Sequence, residues 1–502
     1  MRNKMNKSLA IFLIALTLVH TITGETLTKK REFRGVWIAT VGNIDWPRSR
    51  TSTSGQKIAE LVQIFDKLKE ANINAVFFQV RTEGDALYQS NYEPWSYWLT
   101  NEQGKSPEPF FDPLEFAISE AHSRGMELHA WFNPYRVESD TGAYERFYKH
   151  ISKTKPEWIL SFGKYKMLDP GNPEVQNYIL NVIVDVLTRY DVDGIHFDDY
   201  FYPYTPKITN EDSLTFVKYN RGFTNIDDWR RDNINSLMKR IYQIIKTYKP
   251  YVKFGISPFG IVENKYAGTD GFNSYHIIYC DPLTWIREKY IDYITPQLYW
   301  EREHPKAPYS KLLPWWDSVV EDRHLYVGLF SSRFQSRQFI SKGFEIGNQI
   351  ELNRKHKNVY GEVHFSAKAI YENQGGLLDS LKNNFYQFPA LLPTMKWIDS
   401  VPPNKIQNLN IQKDSIRITL EWKEPEINSQ AETAYGYVIY RFVNEEVNLD
   451  NPMNIIKIIL PKKEKFVDQL NKNLVGEITY VITALDRHQN ESEGESIRIV
   501  IK

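Results

Sequence analysis

The most informative stretch of the chain reads Asp193-Gly194-Ile195-His196-Phe197-Asp198-Asp199-Tyr200. It is a short apolar run that ends in two adjacent carboxylates, which is typical of a β-strand entering a loop. In barrels of parallel strands, the loops that follow the strands carry the chemistry. Paired carboxylates suit the hydrolysis of sugar bonds. Taken alone, however, the pair fits a turn cap and an ion pair better, so the flanking sequence has to decide.

Similar apolar runs recur from residue 33 to about residue 370 and alternate with amphipathic segments. In one of these segments Val175, Ile179 and Val182 are spaced by three and four residues, which defines one apolar face of a helix. Eight strand–helix units over roughly 340 residues predict a (β/α)8 TIM barrel. A doubly wound open sheet is the alternative, although no glycine-rich turn follows the first strand. The strand candidates are residues 33–39, 75–80, 127–133, 194–200, 254–260, 293–300, 325–330 and 361–367.

Most of these strands turn polar near their C-terminal ends. Alternate residues of a strand share a face, so His196 and Asp198 should point the same way. Asp199 should point the other way unless the strand has already ended. We expect the polar groups to converge at the mouth of the barrel. They are Gln79, Arg81, His129, Asn133, His196, Asp198, Ser257, Gln297, Tyr299, His364 and Ser366.

The pattern changes after residue 370. Val401-Pro402-Pro403 predicts a linker, and the short alternating strands that follow predict a small all-β, immunoglobulin-like sandwich. These strand candidates are residues 406–411, 416–422, 435–442, 478–485 and 497–501. We therefore expect a barrel over residues 33–398 and a sandwich over 403–502. The placement of Trp422, Tyr437 and Tyr440 resembles a fibronectin type III module.

The first 24 residues read as a secretory signal peptide. Arg2, Lys4 and Lys7 precede an apolar run over residues 9–19, which is short for a membrane span. An uncleaved anchor is the alternative. Because Cys280 is the only cysteine, this segment offers no site for lipid attachment. The sequence thus predicts an extracytoplasmic protein, periplasmic or secreted, that is not a lipoprotein and has no integral membrane domain after signal removal.

Composition excludes one class of partner and favours another. Lys plus Arg and Asp plus Glu both number 62, so no net charge attracts nucleic acid. Aromatic residues make up 14% of the chain, and their rings can stack on the apolar faces of sugars. The expected partner is an oligo- or polysaccharide.

Several motifs along the barrel region are shared with one family. They cover most of residues 33–370, which resembles the glycosyl hydrolase-like 10 family, formerly the DUF187 family of bacterial exported barrel proteins. The motifs are Phe33-Arg34-Gly35-Val36-Trp37, Asn43-Ile44-Asp45-Trp46-Pro47, Phe78-Gln79-Val80-Arg81, His129-Ala130-Trp131-Phe132-Asn133-Pro134-Tyr135-Arg136, Leu168-Asp169-Pro170-Gly171-Asn172-Pro173, Gly255-Ile256-Ser257-Pro258-Phe259-Gly260 and Thr295-Pro296-Gln297-Leu298-Tyr299-Trp300.

The resemblance implies a (β/α)8 fold and the hydrolysis of bacterial glycans, in some relatives the glycan strands of peptidoglycan. Gly194 to Asp198 also resembles the fourth-strand motif of amylase-type barrels, whose final aspartate is the nucleophile. The sequence departs from the family pattern at Thr82-Glu83 and over residues 261–264. Both departures fall on loops at the mouth, where substrate is selected.

Asp198 is the first candidate for a catalytic nucleophile or base, and Asp199 the candidate acid or orienting group. A second carboxylate could instead come from Glu263 or Glu301. No cofactor and no metal is predicted. The predicted substrate-binding residues are Asp45, Trp46, Gln79, Arg81, Asn133, Tyr135, Arg136, His196, Tyr202, Gln297, Tyr299 and Trp300.

Two other functions fit the same residues. His196 and Asp198 share a face and His129 and His364 lie on other strands, a set that could ligate zinc, although no close histidine pair is present. The other alternative is a glycan-binding protein without catalysis, since a fold does not fix a function.

Overall fold

The computed structural model describes residues 28–199, 201–334, 344–427 and 433–502. Within them, eight parallel strands close into a barrel in which each strand pairs with the next along the chain and the last pairs with the first. The predicted (β/α)8 barrel is confirmed. The strands are β1 (Phe33–Ile38), β2 (Ala75–Arg81), β3 (Glu127–Phe132), β4 (Gly194–Phe197), β5 (Lys253–Ile256), β6 (Tyr293–Ile294), β7 (His324–Leu329) and β8 (Val359–His364).

A helix follows each strand and covers the outside of the barrel. Helix α1 begins with a capping box between Thr53 and Gln56, and Asn172 caps α3, whose first residue is Pro173. The apolar face predicted for α3 is buried. The helices are α1 (Ser54–Glu70), α2 (Pro113–Ser123), α3 (Pro173–Arg189), α4 (Ile226–Tyr248), α5 (Pro282–Arg287), α6 (Tyr309–Val319), α7 (Glu345–Arg354) and α8 (Ala367–Tyr371).

Shorter elements lie in the connections. A three-stranded antiparallel sheet follows β3 and consists of Arg136–Glu138, Ile159–Phe162 and Tyr165–Leu168. Short helices are Tyr97–Thr100, Ile151–Thr154, Ser213–Tyr219, Asn264–Ala267, Ser274–Ile277, Ser331–Phe334 and Leu377–Ser380. Single 3-10 turns are Val41–Asn43, Pro156–Trp158, Gln374–Gly376 and Pro452–Asn454, and Leu381–Phe385 is a π-helical turn.

Strands β4 to β6 are shorter than predicted. Pro258 and Pro296 follow β5 and β6 closely and lack the N–H group that a ladder needs. Gln297 nevertheless makes isolated bridges to Phe259 and Gly328. Because β4 ends at Phe197, Asp198 and Asp199 both belong to the loop at the mouth.

Aromatic side chains fill the barrel interior. The rings of Phe33 and Tyr326 stack at 3.9 Å, and Phe77 packs on His196 at 4.2 Å. Gly255 makes room for this layer, since a Cβ there would lie 2.0 Å from the ring of Tyr293. The interior is therefore a packed core, as in other barrels of this type, and ligands must approach from its rim.

The C-terminal residues form two antiparallel sheets that enclose a separate apolar core. This all-β arrangement agrees with the predicted fold class, whereas the likeness to fibronectin type III and the domain limits stay predictions. Two of the strands, β12 and β13, were not predicted. One sheet has the order β9 (Gln407–Asp414), β10 (Arg417–Lys423), β13 (Lys465–Gln469). The other has the order β12 (Ile455–Ile459), β11 (Gly436–Val443), β14 (Gly476–Leu485), β15 (Glu495–Ile501).

These sheets contact the barrel at the end opposite its mouth. Gln489 reaches Glu127, the first residue of β3, at 3.5 Å. The guanidinium of Arg487 pairs with Asp191 at 3.0 Å and lies 4.1 Å from the ring centroid of Tyr435. The C-terminal sheets thus leave the rim that carries Asp198 uncovered.

No helix in the described ranges is both long and apolar enough to cross a membrane. The predicted signal peptide, residues 1–24, lies outside the described residues. Export and the absence of lipid attachment therefore stay predictions.

Candidate active site

A cavity of about 270 Å³ opens at the C-terminal ends of the barrel strands. Its walls combine polar groups with aromatic rings, and its apolar lining also includes Ala39, Val41 and Ile44. The polar lining residues are Gln79, Asn133, Arg136, Asp198, Asp199, Ser257 and Gln297. The aromatic ones are Trp37, Trp131, Tyr204, Phe259, Tyr299 and Phe365. Seven predicted site residues therefore meet in one cavity: Gln79, Asn133, Arg136, Asp198, Asp199, Gln297 and Tyr299.

Asp198 is held by donors from the neighbouring strand. Trp131 Nε1 donates to Asp198 Oδ2 at 3.2 Å, and Asn133 Nδ2 donates to the same oxygen. The carboxylate is 3% exposed, so these contacts fix it in a nearly water-free position at the cavity wall. A carboxylate held in this way is oriented before a substrate arrives.

Asn133 is itself oriented by a second layer of hydrogen bonds. Its Oδ1 accepts from Gln79 Nε2 at 2.6 Å and from Arg136 Nη2 at 2.9 Å. Gln79 Oε1 in turn accepts from the backbone amides of Thr40 and Val41, both at 2.9 Å. Because both donors occupy Oδ1, the NH2 group of Asn133 must face Asp198. The loop after β1 thereby positions a carboxylate after β4.

The environment of Asp199 favours the protonated form of its carboxyl. Burial raises the pKa of its carboxyl to about 6, while hydrogen bonds from Tyr204 and Gln297 and the charge of Arg136 oppose the shift. A carboxyl with such a pKa carries its proton under mildly acidic conditions, where an ordinary aspartate is ionised. A carboxyl that keeps its proton can serve as proton donor beside a second carboxylate that acts as nucleophile or base.

The aromatic walls offer flat apolar surfaces to a ligand. The rings of Tyr204 and Phe259 lie 5.0 Å apart, and those of Tyr299 and Phe365 6.0 Å apart. Trp37 packs against Phe365 from a third side. A cavity with aromatic walls and a few convergent polar groups is suited to a sugar ring, which has apolar faces and a polar edge.

His196 lies beneath the cavity floor and does not line it. Its ring is hydrogen-bonded to Ser257 Oγ at 3.1 Å and to Tyr293 OH at 3.2 Å, and Trp37 Nε1 lies 3.3 Å from its Nε2. Burial lowers its pKa well below the usual value, so the ring is neutral. Its position supports the floor residues Ser257 and Trp37.

The structure corrects the predicted position of Arg81. The register between β2 and β3 shifts after Gln79, so that Gln79 is opposite Trp131 but Arg81 is opposite Phe132. The extra residue turns Arg81 away from the face that Gln79 shares with the cavity. Its guanidinium is buried against Glu93, with Arg81 Nη2 and Glu93 Oε1 2.7 Å apart. Arg81 therefore belongs to an ion pair outside the cavity.

Removing one partner of this pair should destabilise the barrel. Glu93→Gln keeps the side-chain volume but leaves a buried guanidinium without its countercharge, and we expect a loss of about 3 kcal/mol in the free energy of unfolding. Urea unfolding followed by tryptophan fluorescence measures it. Glu102→Gln is the control, because Glu102 pairs with Lys105 at the surface, where such pairs contribute under about 1 kcal/mol. Equal losses for both variants would contradict the expectation.

Three predicted aromatic binders are also buried outside the cavity. Trp46 donates to the carbonyl oxygen of Lys57 at 3.0 Å, and Tyr202 packs edge-on against Tyr279. Tyr135 is fully buried. All three belong to the loops that follow their strands, and their side chains pack into the apolar core around the barrel strands and helices. Trp300 does not line the cavity either and packs close to Gly260.

The remaining acids lie apart from Asp198. Asp45 accepts from the amide of Ala39 at 2.7 Å and from Ser366 Oγ at 2.7 Å, which ties the ends of β1 and β8 together. Glu263 pairs with Lys265 at 2.8 Å. Neither residue lines the cavity, and neither does Glu301. Of the candidate partners of Asp198, only Asp199 lines the cavity, and its catalytic role stays a prediction.

Trp131, Tyr204, Phe259 and Phe365 also line the cavity and were not among the residues predicted from the sequence. Trp131 alternates with Asn133 on the face that enters the barrel, so strand alternation could have identified it. Tyr204, Phe259 and Phe365 belong to loops, where no regular spacing indicates direction.

Among the residues that the structure describes, one cluster has the residue types and spacing of a possible metal site. It consists of Asp399, Asp486 and His488, whose carboxylate oxygens and ring nitrogen lie within 4.8 Å of one another. None of them lines the cavity. The zinc ligands considered from the sequence, His129, His196 and His364, are instead held by protein groups: Tyr293 for the first two and Ser331 for the third.

Comparison with known proteins gives two close relatives over most of the chain. The chain is 38% identical to "Glycosyl hydrolase YngK" of Bacillus subtilis (strain 168), over 97% of this chain and 98% of that protein. It is 36% identical to "Glycosyl hydrolase DigH" of Escherichia coli (strain K12), over 68% of this chain and 84% of that protein. Among solved structures, "Alpha-L-fucosidase isoenzyme 2 from Paenibacillus thiaminolyticus" shares 14% identity with a TM-score of 0.46, over 70% of this chain and 49% of that one.

The profile of one family, described as Glycosyl hydrolase-like 10, matches residues 32–344. This match spans the barrel from β1 through β7 and includes every element that contributes Asp198, Asp199 and their donors. It confirms the family predicted from the sequence, and with it the glycosidase class of enzyme. The chain belongs to the glycosyl hydrolase-like 10 family.

Proposed function

We propose that the protein is an exported glycoside hydrolase that cleaves O-glycosidic bonds in a bacterial or environmental glycan, with peptidoglycan glycan strands as the first candidate. The observation that carries this proposal is the pair Asp198 and Asp199 at the rim of the barrel, in one cavity with aromatic walls. Family membership supports the reaction class. Export is inferred from the signal-like residues 1–24.

In the proposed mechanism the two carboxyls have different roles. Asp199, whose pKa is raised to about 6 by burial, protonates the oxygen of the leaving sugar. Asp198, oriented by Asn133 and Trp131, attacks or stabilises the anomeric centre or activates water for the attack. Both actions are those that glycosidases use at an oxocarbenium-like transition state. The hydrogen bonds to Asp198 keep it in place during the reaction.

Other cavity groups are suited to binding the substrate. Tyr299 and Trp37 present ring surfaces, and Gln297 offers an amide for sugar hydroxyls. Arg136 is suited to an acidic sugar substituent, because a guanidinium can bind a carboxylate through two parallel hydrogen bonds. A glycan that carries carboxylates would use this residue, whereas a neutral glycan would not.

The test is hydrolysis of a panel of purified glycans that includes peptidoglycan glycan strands, chitin oligosaccharides and plant polysaccharides. New reducing ends should form with at least one of them. Parallel reactions contain a chelator. Hydrolysis by the two carboxylates should continue in its presence, whereas metal-dependent hydrolysis should stop. Tight binding of a glycan without cleavage would instead support the non-catalytic alternative.

The rate should depend on pH through Asp199. A general acid must carry its proton, and the raised pKa of about 6 keeps this proton up to mildly acidic pH. We therefore expect kcat/KM to fall as pH rises through about 6. A pH–rate profile on a cleaved glycan measures this limb. A rate that stayed level from pH 5 to pH 8 would contradict the assignment of Asp199 as the acid.

A further inference from the structure

A second pocket of about 690 Å³ lies beside the cavity, between the loops that follow β2 and β3. The rings of Tyr97 and Tyr144 stack across the two loops at 3.9 Å, with an angle of 5° between their planes. The amide of Phe147 donates to Gln103 Oε1 at 3.0 Å. Gly104 admits the ring of Phe147, since a Cβ there would lie 2.4 Å from it. The pocket is therefore formed before any ligand binds.

Gln103 lines this pocket but is itself buried. The residue is 4% exposed, and no group in the described ranges accepts a hydrogen bond from its Nε2. Because Phe147 occupies Oε1, the amide cannot reverse without losing that bond. Its Nε2 atom has less than 1 Å² of exposed surface, so Gln103 holds the pocket wall through its bond to Phe147 and does not offer a donor to a ligand.

Tyr148 gives the same pocket an aromatic platform. Tyr148 is 69% exposed. The ring of Phe147 packs against its ring, with 4.5 Å between the two centroids. Charges around the pocket balance, with Glu102 and Glu145 against Arg146 and Lys153. An exposed aromatic ring and lining residues whose charges cancel match a neutral sugar unit better than an ion or a peptide terminus.

The pocket adjoins the cavity through a shared wall. Arg136, which lines the cavity, donates from Nε to the carbonyl oxygen of Thr82 at 3.0 Å. The next residue, Glu83, accepts from Tyr144 OH at 2.7 Å on the side of the second pocket. The loop after β1 reaches the same region, where Asn43 donates to the carbonyl oxygen of Trp98.

We infer that this pocket is a distal subsite that binds a neutral sugar unit of a polymeric glycan whose cleaved bond lies in the cavity. Tyr148 stacks on the sugar ring, while the bond from Phe147 to Gln103 keeps the pocket wall in place. The inference rests on the proposed function, because it assumes a glycan substrate. It adds that the enzyme favours long chains over short ones.

The test compares long peptidoglycan glycan strands with a tetrasaccharide prepared from them. Binding is measured in an Asp198→Asn background, which separates affinity from turnover, and KM is measured with Asp198 intact. Tyr148→Ala should weaken binding of the long strands about ten-fold, which corresponds to about 1.4 kcal/mol, and should leave the tetrasaccharide unaffected. Tyr148→Phe keeps the ring and should restore long-strand binding. Tyr248→Ala is the matched control, since Tyr248 is also exposed and ends α4 at the opposite end of the barrel.

The outcomes separate the two proposals. If the tetrasaccharide is cleaved but Tyr148→Ala leaves long-strand affinity unchanged, or weakens both lengths equally, the subsite is overturned and the glycosidase stands. If neither length is bound or cleaved, the assumption of this glycan fails and the subsite fails with it.

Discussion

Asp198→Asn should lower turnover by about three orders of magnitude or more, a loss of roughly 4 kcal/mol in transition-state stabilisation. The substitution keeps the volume of the side chain and lets the new amide accept from Asn133 and Trp131 as the carboxylate does. It removes the negative charge and the nucleophilic oxygen, which act in the transition state and hardly in the ground state. Glycan affinity and unfolding free energy should therefore change little.

Glu263→Gln is the control for this variant. It neutralises a loop acid that was a candidate second carboxylate but lies outside the cavity, paired with Lys265 and His276. Its turnover should stay close to that of the unmodified enzyme. If Asp198→Asn kept more than about a tenth of the unmodified enzyme's rate on a verified substrate, a loss under about 1.4 kcal/mol, the catalytic role assigned to Asp198 would be wrong.

Asp199→Asn should lower the rate by about two to four orders of magnitude, because an amide cannot protonate the leaving oxygen. The loss should depend on the substrate. An aryl glycoside with an acidic phenol as leaving group needs little protonation, so its cleavage should be nearly preserved. The fall in rate above pH 6 should also disappear, since the group that causes it is gone.

Asp169→Asn is the matched control for Asp199. Asp169 is another buried aspartate whose pKa burial raises to about 6, but its partners are Thr215 and Gly171, outside the cavity. Its neutralisation should leave both the pH profile and the leaving-group dependence unchanged. An Asp199→Asn variant with equal losses on polysaccharide and aryl glycoside would show that Asp199 orients groups without donating a proton.

The fold could be predicted because its signals are local and repeated. Eight apolar runs and the helical spacing of Val175, Ile179 and Val182 each reflect burial against a common core. The ends of the strands were harder to predict, because Pro258 and Pro296 end the hydrogen-bond ladders of β5 and β6 before the apolar runs end. In the C-terminal sheets, β12 was missed since Ile455–Ile459 lacks strict alternation.

The site could be predicted only in part, because side-chain direction is regular along strands but not in loops. Strand alternation correctly brought Gln79, Asn133 and Asp198 toward one cavity, since side-chain direction along a regular strand is fixed. It failed at Arg81, where a one-residue register shift reverses that direction. Tyr204 and Phe365 depend on how loops fold over the mouth, which residue spacing does not encode.

The most direct measurement is mass spectrometry of the products formed from purified peptidoglycan glycan strands. Hydrolysis at the cavity predicts fragments whose masses show the addition of one water for each bond broken, with none formed by Asp198→Asn. Fragments that lack the added water would contradict hydrolysis, because they indicate elimination instead. Equal product yields from the variant and the unmodified enzyme would contradict the catalytic role of Asp198, because the cleavage would then not depend on Asp198.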